Sequence, residues 1–368
     1  MKEADVMKTT GIMKMAMMMV IWSMNISQAL ALPPIFGFCR DSDKDCLQEL
    51  MDRSPTKSKR HWRKFAQKNL EDRIIAADGD GVKLLQLLNR FYGDSVRAIP
   101  SPAERVNPFL NDVRKAMTDI PPALKAKIKK KLMAIVLAEK TGSTATTIDL
   151  LHSGSSPDAA VIFLDVGALY DKTANQWASW KENTPFATDG AYKVKMTIAE
   201  PSYDNRIQAI QYILLHEIGH VLALNTSIHP LWFSEKKSPP QMADYPFMKL
   251  SWNYTNVGYQ SLFDKNFPLR KDVRYYFGKD LPNEAIPKAY ANLVKTNFVT
   301  LYGATSPYED WAEVFVTYVH TKVMNKVFRL EIMQGDQVIQ TLPVCWENDR
   351  CQGKDQILRE FLGLGDEL

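Results

Sequence analysis

The sequence predicts an α+β fold, mostly helical, with a small mixed sheet ahead of one interior helix and a hairpin near the C-terminus. Three observations carry that expectation. Apolar residues recur at intervals of three and four through much of 60–140, through 211–225 and through 306–324. Between the first two of these blocks, 157–169 holds a short apolar run, Val161 to Leu164, and 191–199 alternates Tyr192, Val194, Met196 and Ile198 with polar residues. Beyond the last block, "FRLEIMQGDQVIQTL" reads as two strands turning at Gly335-Asp336.

The N-terminus reads as a bacterial-type signal segment over 1–31. Lys14 precedes the apolar run Met15 to Trp22, a more polar stretch follows, and Ala29-Leu30-Ala31 has the small-x-small pattern of a cleavage site, placing the cut after Ala31. The run is shorter than the roughly 20 residues of a membrane span, so no stable membrane anchor is expected after cleavage. The expected location is secreted or periplasmic. All four cysteines lie beyond the cut, as the near pairs Cys39 with Cys46 and Cys345 with Cys351, which suggests two small disulfide loops.

The mature chain divides by pattern into a helical region at 32–150 and a second region at 151–368. In the first, "DGVKLLQLLNRFYGD" and "PPALKAKIKKKLMAIVLAEKTGS" are read as helices, punctuated by Pro100, Pro102, Pro108 and Pro121-Pro122. The lysines of the second form one solvated face opposite Leu124, Ile128 and Leu132. With 46 basic and 42 acidic residues the chain is nearly balanced, and no basic groove with interleaved aromatics or known module appears, so no nucleic-acid partner is expected. In the second region Pro201 ends the alternating strand, Asp204 or Asn205 is placed to cap the next helix, and Asn225 falls where a left-handed stop belongs. Residues 226–298 form an aromatic and proline-rich insertion expected to pack near the functional cleft. Ser306 or Pro307 then opens the helix over 306–324.

The chemistry is concentrated in "QYILLHEIGHVLALN", 211–225. This helix is apolar almost all round, so it belongs inside the protein, yet His216 and His220 project from one side a turn apart with Glu217 beside them. Burying these groups unpaired would cost several kcal/mol. A shared Zn2+ ion satisfies them, and HExxH is the arrangement in which two histidines bind zinc and the glutamate takes a proton from water.

Catalytic zinc takes a third protein ligand. Continuation to the metzincin motif HExxHxxGxxH is excluded because positions 223 and 226 are Ala223 and Thr226. His229 lies on a loop before Pro230, Glu284 has no supporting context, and Glu309 opens an apolar helix able to carry it rigidly. His61 and His152 read as ordinary surface or core residues, and His320 is three turns beyond Glu309. Tyr302-Gly303, Glu309 seven residues after that tyrosine, then Trp311-Ala312-Glu313 and Phe315 resemble the second signature of the lethal-factor-like zinc metallopeptidases, gluzincins that include the proline-proline endopeptidases. The resemblance rests on about 35 residues in the two signatures together. It implies a zincin-like fold, His216, His220 and Glu309 as metal ligands, Glu217 as general base, and Tyr302 as the group that meets the transition state. Glu309 follows His220 by 89 positions, a longer interval than the family's better-known members have. Glu313, a turn after Glu309, is placed to support a ligand histidine. The function expected is a zinc-dependent endopeptidase acting on a peptide or protein substrate, with the edge of the 191–199 strand receiving extended peptide. A non-catalytic zinc-binding module and a zinc amidase acting on cell-wall peptides are the alternatives.

Overall fold

A computed structural model describes residues 39–93, 99–104, 106–152, 156–232, 239–276 and 281–364. The signal segment and its cleavage site lie outside these residues. Helices α1 (Lys44–Asp52) and α2 (Arg63–Ala66) and strand β1 (Ile74–Ala76) lead into α3 (Gly79–Tyr92), which the Asp78 side chain caps. Strand β2 (Ser101–Pro102) and helices α4 (Val106–Thr118) and α5 (Pro122–Lys131) follow. Next come strands β3 (Leu132–Glu139), β4 (Ala145–Asp149) and β5 (Ala160–Asp165), then helices α6 (Val166–Leu169) and α7 (Ala174–Asn183). Strand β6 (Tyr192–Thr197) precedes the long helix α8 (Arg206–Ala223). The insertion holds α9 (Pro246–Lys249), the hairpin β7 (Trp252–Thr255) and β8 (Gly258–Ser261), and α10 (Ala285–Leu293). Helix α11 (Pro307–Tyr318), the hairpin β9 (Arg329–Gln334) and β10 (Gln337–Leu342), and α12 (Gln352–Leu362) complete the chain.

One sequence expectation fails here. The helix read through "PPALKAKIKKKLMAIVLAEK" ends at Lys131, and its remainder is β3, buried from Leu132 to Ala138. A run apolar on every side suits a strand covered on both faces better than an amphipathic helix. β3 lies inside a mixed sheet ordered β1-β3-β5-β4, parallel to β1 and β5, with β4 antiparallel to β5 and β2 antiparallel to β3. The expected boundary at 150–151 falls between β4 and β5, which pair along their length, so the sheet joins the two regions and residues 40–368 form one unit.

A second sheet, ordered β10-β9-β6, is antiparallel and includes the expected hairpin, with Gly335 at φ 57° in its turn. Its β6 edge does not offer itself to a substrate strand. Asn175, Ser179 and Asn183, one turn apart along α7, and Asn283 hydrogen-bond the outward backbone groups. Asn183 accepts from Val194 N (2.9 Å) and donates to Val194 O (2.7 Å), Ser179 Oγ accepts from Met196 N (2.9 Å), Asn175 accepts from Ile198 N (2.7 Å), and Asn283 accepts from Tyr192 N (2.8 Å). The edge expected to bind peptide is closed by side chains.

Helix α8 runs through the core, buried without interruption from Ala209 to Ala223, with α4, α5, α7 and α11 against it. Asn205 caps its start, accepting from Gln208 N at 3.2 Å, and Asn225 turns left-handed at its end, φ 52°. Lys131 Nζ donates to the carbonyls of Leu222 and Leu224, placing a cation where the helix dipole is negative. Among the described residues no helix is long and apolar enough to cross a membrane. Cys345 pairs with Cys351, Cys39 and Cys46 are likewise disulfide-bonded, and no cysteine is free.

Candidate metal centre

His216 and His220 sit on the buried face of α8 with ring centroids 5.0 Å apart, and Glu309 reaches them from the first turn of α11. That turn is fixed by Ser306, whose Oγ accepts from Glu309 N at 3.1 Å, and by Pro307 at the first helical position. Glu309 Oε2 stands 3.1 Å from His216 Nε2 and 3.6 Å from His220 Nε2, and one ligand atom from each of the three lies within 4.8 Å of the others. Yet Glu309 Oε2 is buried without a hydrogen-bond partner. Two ring nitrogens and an orphaned carboxylate oxygen are thus gathered close together, which is the arrangement a metal ion requires.

Two helices must approach closely for this to happen, and Gly219 inside the motif allows it. A Cβ there would lie 3.1 Å from Phe315 Cβ and 3.2 Å from Ala312 Cα on α11. Trp311 ties the same contact by donating from Nε1 to Gly219 O at 2.8 Å.

Behind the ligands lies a buried charged chain. His216 Nδ1 donates to Glu313 Oε1 at 2.9 Å, fixing the tautomer that leaves Nε2 free. Lys181 Nζ donates to the same Glu313 oxygen at 2.9 Å and stands 3.8 Å from Glu182, whose Oε2 accepts from Tyr275 (2.9 Å) and Tyr290 (2.7 Å). Burial alone lowers the His216 pKa, but the carboxylates of Glu309, 3.1 Å from its Nε2, and of Glu313, bonded to its Nδ1, outweigh that and carry it to about 10. Burial likewise works to raise Glu313, and Lys181 with His216 overcomes it and holds the carboxyl at about 2. Glu309, also opposed by burial, is kept well below the usual carboxylate range by the two imidazoles. Two ionised carboxylates with one buried lysine leave the site negative, so it holds a proton on His216 or a cation in its place.

Glu217 is anchored through one of its oxygens, Oε2 accepting from Thr147 Oγ1 at 2.6 Å. Thr147 belongs to β4, whose Thr144 and Leu150 neighbours bond across to Asp165 and Ala159 of the β5 side. By the alternation of an antiparallel pair, Ala145, Thr147 and Asp149 turn their N–H and C=O groups away from β5. Ser143 Oγ donates to Ala145 O at 2.6 Å, and on that side Thr147 and Asp149 take no backbone partner among the described residues.

Tyr302 stacks on His216 with centroids 5.7 Å apart and planes at 26°, and Lys181 Nζ lies 4.4 Å from its ring centre. Burial, then the nearby Glu309, keeps its hydroxyl protonated. His229 is 4% exposed but outside the ligand cluster. Its Nδ1 bonds Pro230 O at 2.8 Å, its ring lies 4.8 Å from Tyr308, and burial lowers its pKa to about 4. The insertion does reach the cluster: the Trp232 ring lies 5.2 Å from that of His220, and the Tyr275 ring 4.7 Å from that of Tyr302. Glu284 is exposed at the start of α10, and His320 bonds Val327 O at 3.0 Å, away from the ligand cluster. Sequence reading missed Thr147, Lys181 and Glu182. One signal for Lys181 was present: it continues the inward stripe Ala174, Trp177, Ala178 of α7.

No protein-family model, curated protein or solved structure matches the chain.

Proposed function

We propose that the protein is a zinc-dependent endopeptidase of the lethal-factor-like gluzincin type, exported from the cell, with His216, His220 and Glu309 holding Zn2+. The observation that carries the reading is the convergence of His216 Nε2, His220 Nε2 and the orphaned Glu309 Oε2, with Glu313 bonded behind His216. Two imidazoles and a carboxylate suit zinc, which when bound supplies Lewis acidity and a coordinated water of pKa about 7. Glu217, held by Thr147, takes the proton of the attacking water and later delivers it to the leaving amine. Tyr302, protonated and stacked on His216, donates its hydroxyl to the carbonyl oxygen as negative charge gathers there.

Extended peptide is received by the outer edge of β4 rather than of β6. Thr147 and Asp149 have the outward backbone groups for strand pairing, and Thr147 joins that edge directly to Glu217. The test is a peptide-library cleavage assay on metal-analysed protein, with chelator and with zinc restored. Stoichiometric zinc and chelator-sensitive cleavage of internal peptide bonds support the reading; zinc without cleavage of any peptide rejects it.

A further inference from the structure

The mechanism above leaves unused the buried cation that stands beside the site, Lys181. Lys181 is fully enclosed, its side chain 6% exposed, and it touches both halves of the site: Glu313 Oε1 at 2.9 Å on one side and the face of Tyr302 at 4.4 Å on the other. Its neighbour Glu182, 4% exposed in its side chain, is gripped by Tyr275 and Tyr290, which both belong to the 226–298 insertion. A continuous path therefore runs from the insertion through Glu182, Lys181 and Glu313 to Nδ1 of His216. A second branch runs from Tyr275 to Tyr302, whose rings are 4.7 Å apart.

We infer that Lys181 is a positioning residue that fixes the metal-binding imidazole of His216 through Glu313 and seats the Tyr302 ring, and that the insertion holds it in place through Tyr275 and Tyr290. The argument is geometric. A ligand imidazole is oriented by what its far nitrogen bonds, and here that acceptor is Glu313. Only one Glu313 oxygen is engaged, and both His216 and Lys181 bond it, while Glu313 Oε2 is buried without a partner. Without the ammonium the carboxylate would be a buried charge with a single neutral donor, free to rotate toward any other partner. The same ammonium on the face of Tyr302 sets where that ring stands, so one side chain registers a metal ligand against the phenol. This rests on the metal-site reading but not on peptide hydrolysis, and it gives the insertion a role in assembling the centre.

The test measures zinc affinity by competition with a chromophoric chelator for wild type, Lys181→Met, Glu313→Gln and the double variant. Loss of an outer-shell partner weakens metal binding roughly 10- to 100-fold. Each single variant is expected to show such a loss, and the double variant to bind no more weakly than the weaker single, because both changes break one path. Multiplying losses in the double variant, or a Lys181→Met affinity equal to wild type, overturns the inference. Because Lys181→Met strands a buried carboxylate and can fail to fold, the double variant, which buries no unmatched partner for Glu313, keeps the test decisive: zinc affinity at the wild-type level in it also overturns the inference. Tyr275→Phe, which removes only one hydrogen bond to Glu182, is expected to weaken zinc several-fold, and unchanged affinity removes the insertion from the path. If zinc affinities follow this pattern while no peptide is cleaved, the peptidase reading fails and the positioning role stands.

Discussion

At the scale of single residues, on the function proposed above, His216, His220 and Glu309 hold the metal while Glu217 moves a proton, and substitutions should separate the two roles. Glu217→Ala removes a side chain whose carboxylate, among the described residues, is hydrogen-bonded by Thr147, so fold and zinc content should be kept while hydrolysis falls by about two to four orders of magnitude, the range for a lost general base. Zinc analysis alongside rate measurement checks this, and an undiminished rate in zinc-loaded variant removes Glu217 from the chemistry. Glu309→Ala should lose zinc and activity together, whereas His229→Ala should keep zinc at one equivalent, since His229 stands outside the ligand cluster. Metal content after dialysis against a mild chelator decides between the two, and the reverse result would reassign the third ligand. The three clustered residues were legible because helical spacing fixes His216 and His220 on one face, and because the stretch from Tyr302 to Phe315 resembles a known second signature whose glutamate falls on Glu309. Thr147 was not legible, since it comes from a strand 70 residues away whose pairing only the folded sheet defines.

Among elements, helices with capping signals were read well and buried strands poorly. Asn205, Asn225 and Ser306 sit where they were expected, because a cap is a local bargain between a side chain and three or four backbone groups. β3 was mistaken for helix because an apolar run has no face to reveal its period, and its parallel partners β1 and β5 are distant in sequence. The closure of β6 by α7 was equally hidden, as asparagines and a serine four apart look like a solvated helix face. That closure is testable. Asn183→Ala strips both the N–H and the C=O of Val194 of their partners and should destabilise the fold by roughly 1–3 kcal/mol in urea unfolding. A change under a few tenths would mean the edge bonds equally well to water. Gly219→Ala tests the crossing of α8 and α11: with 3.1 Å and 3.2 Å to Phe315 and Ala312, an added methyl should push the helices apart and weaken zinc binding more than it weakens the fold. Zinc affinity and thermal unfolding measured together check it.

For the whole molecule, buried titratable groups set the pH response and tie distant segments to the site. His320 lies 1% exposed beyond α11, where burial lowers its pKa to about 4 with Lys326 acting in the same direction and the Val327 carbonyl opposing. Its folded pKa lies below the unfolded value, so the stabilisation is complete above about pH 6.5 and is lost as pH falls toward 4, by up to about 3 kcal/mol. His320→Leu in metal-free protein should therefore lose less stability than wild type between pH 7 and 4.5, measured by denaturant titration; parallel losses would count against it. At the far end, Lys354 Nζ on α12 meets Asp310 Oδ1 at 2.6 Å with both side chains wholly buried, while Trp252 Nε1 of the insertion donates to Asp310 Oδ2 at 3.0 Å. These bonds pin the residue beside Glu309 from the rear. A ribosome delivers α8 first, Glu309 after a further 89 residues beyond His220, and Lys354, which steadies Asp310, 44 residues after Asp310 itself. A nascent chain thus carries both histidines long before it carries the carboxylate that would complete a metal site with them, and longer still before the lysine that braces that carboxylate's neighbour.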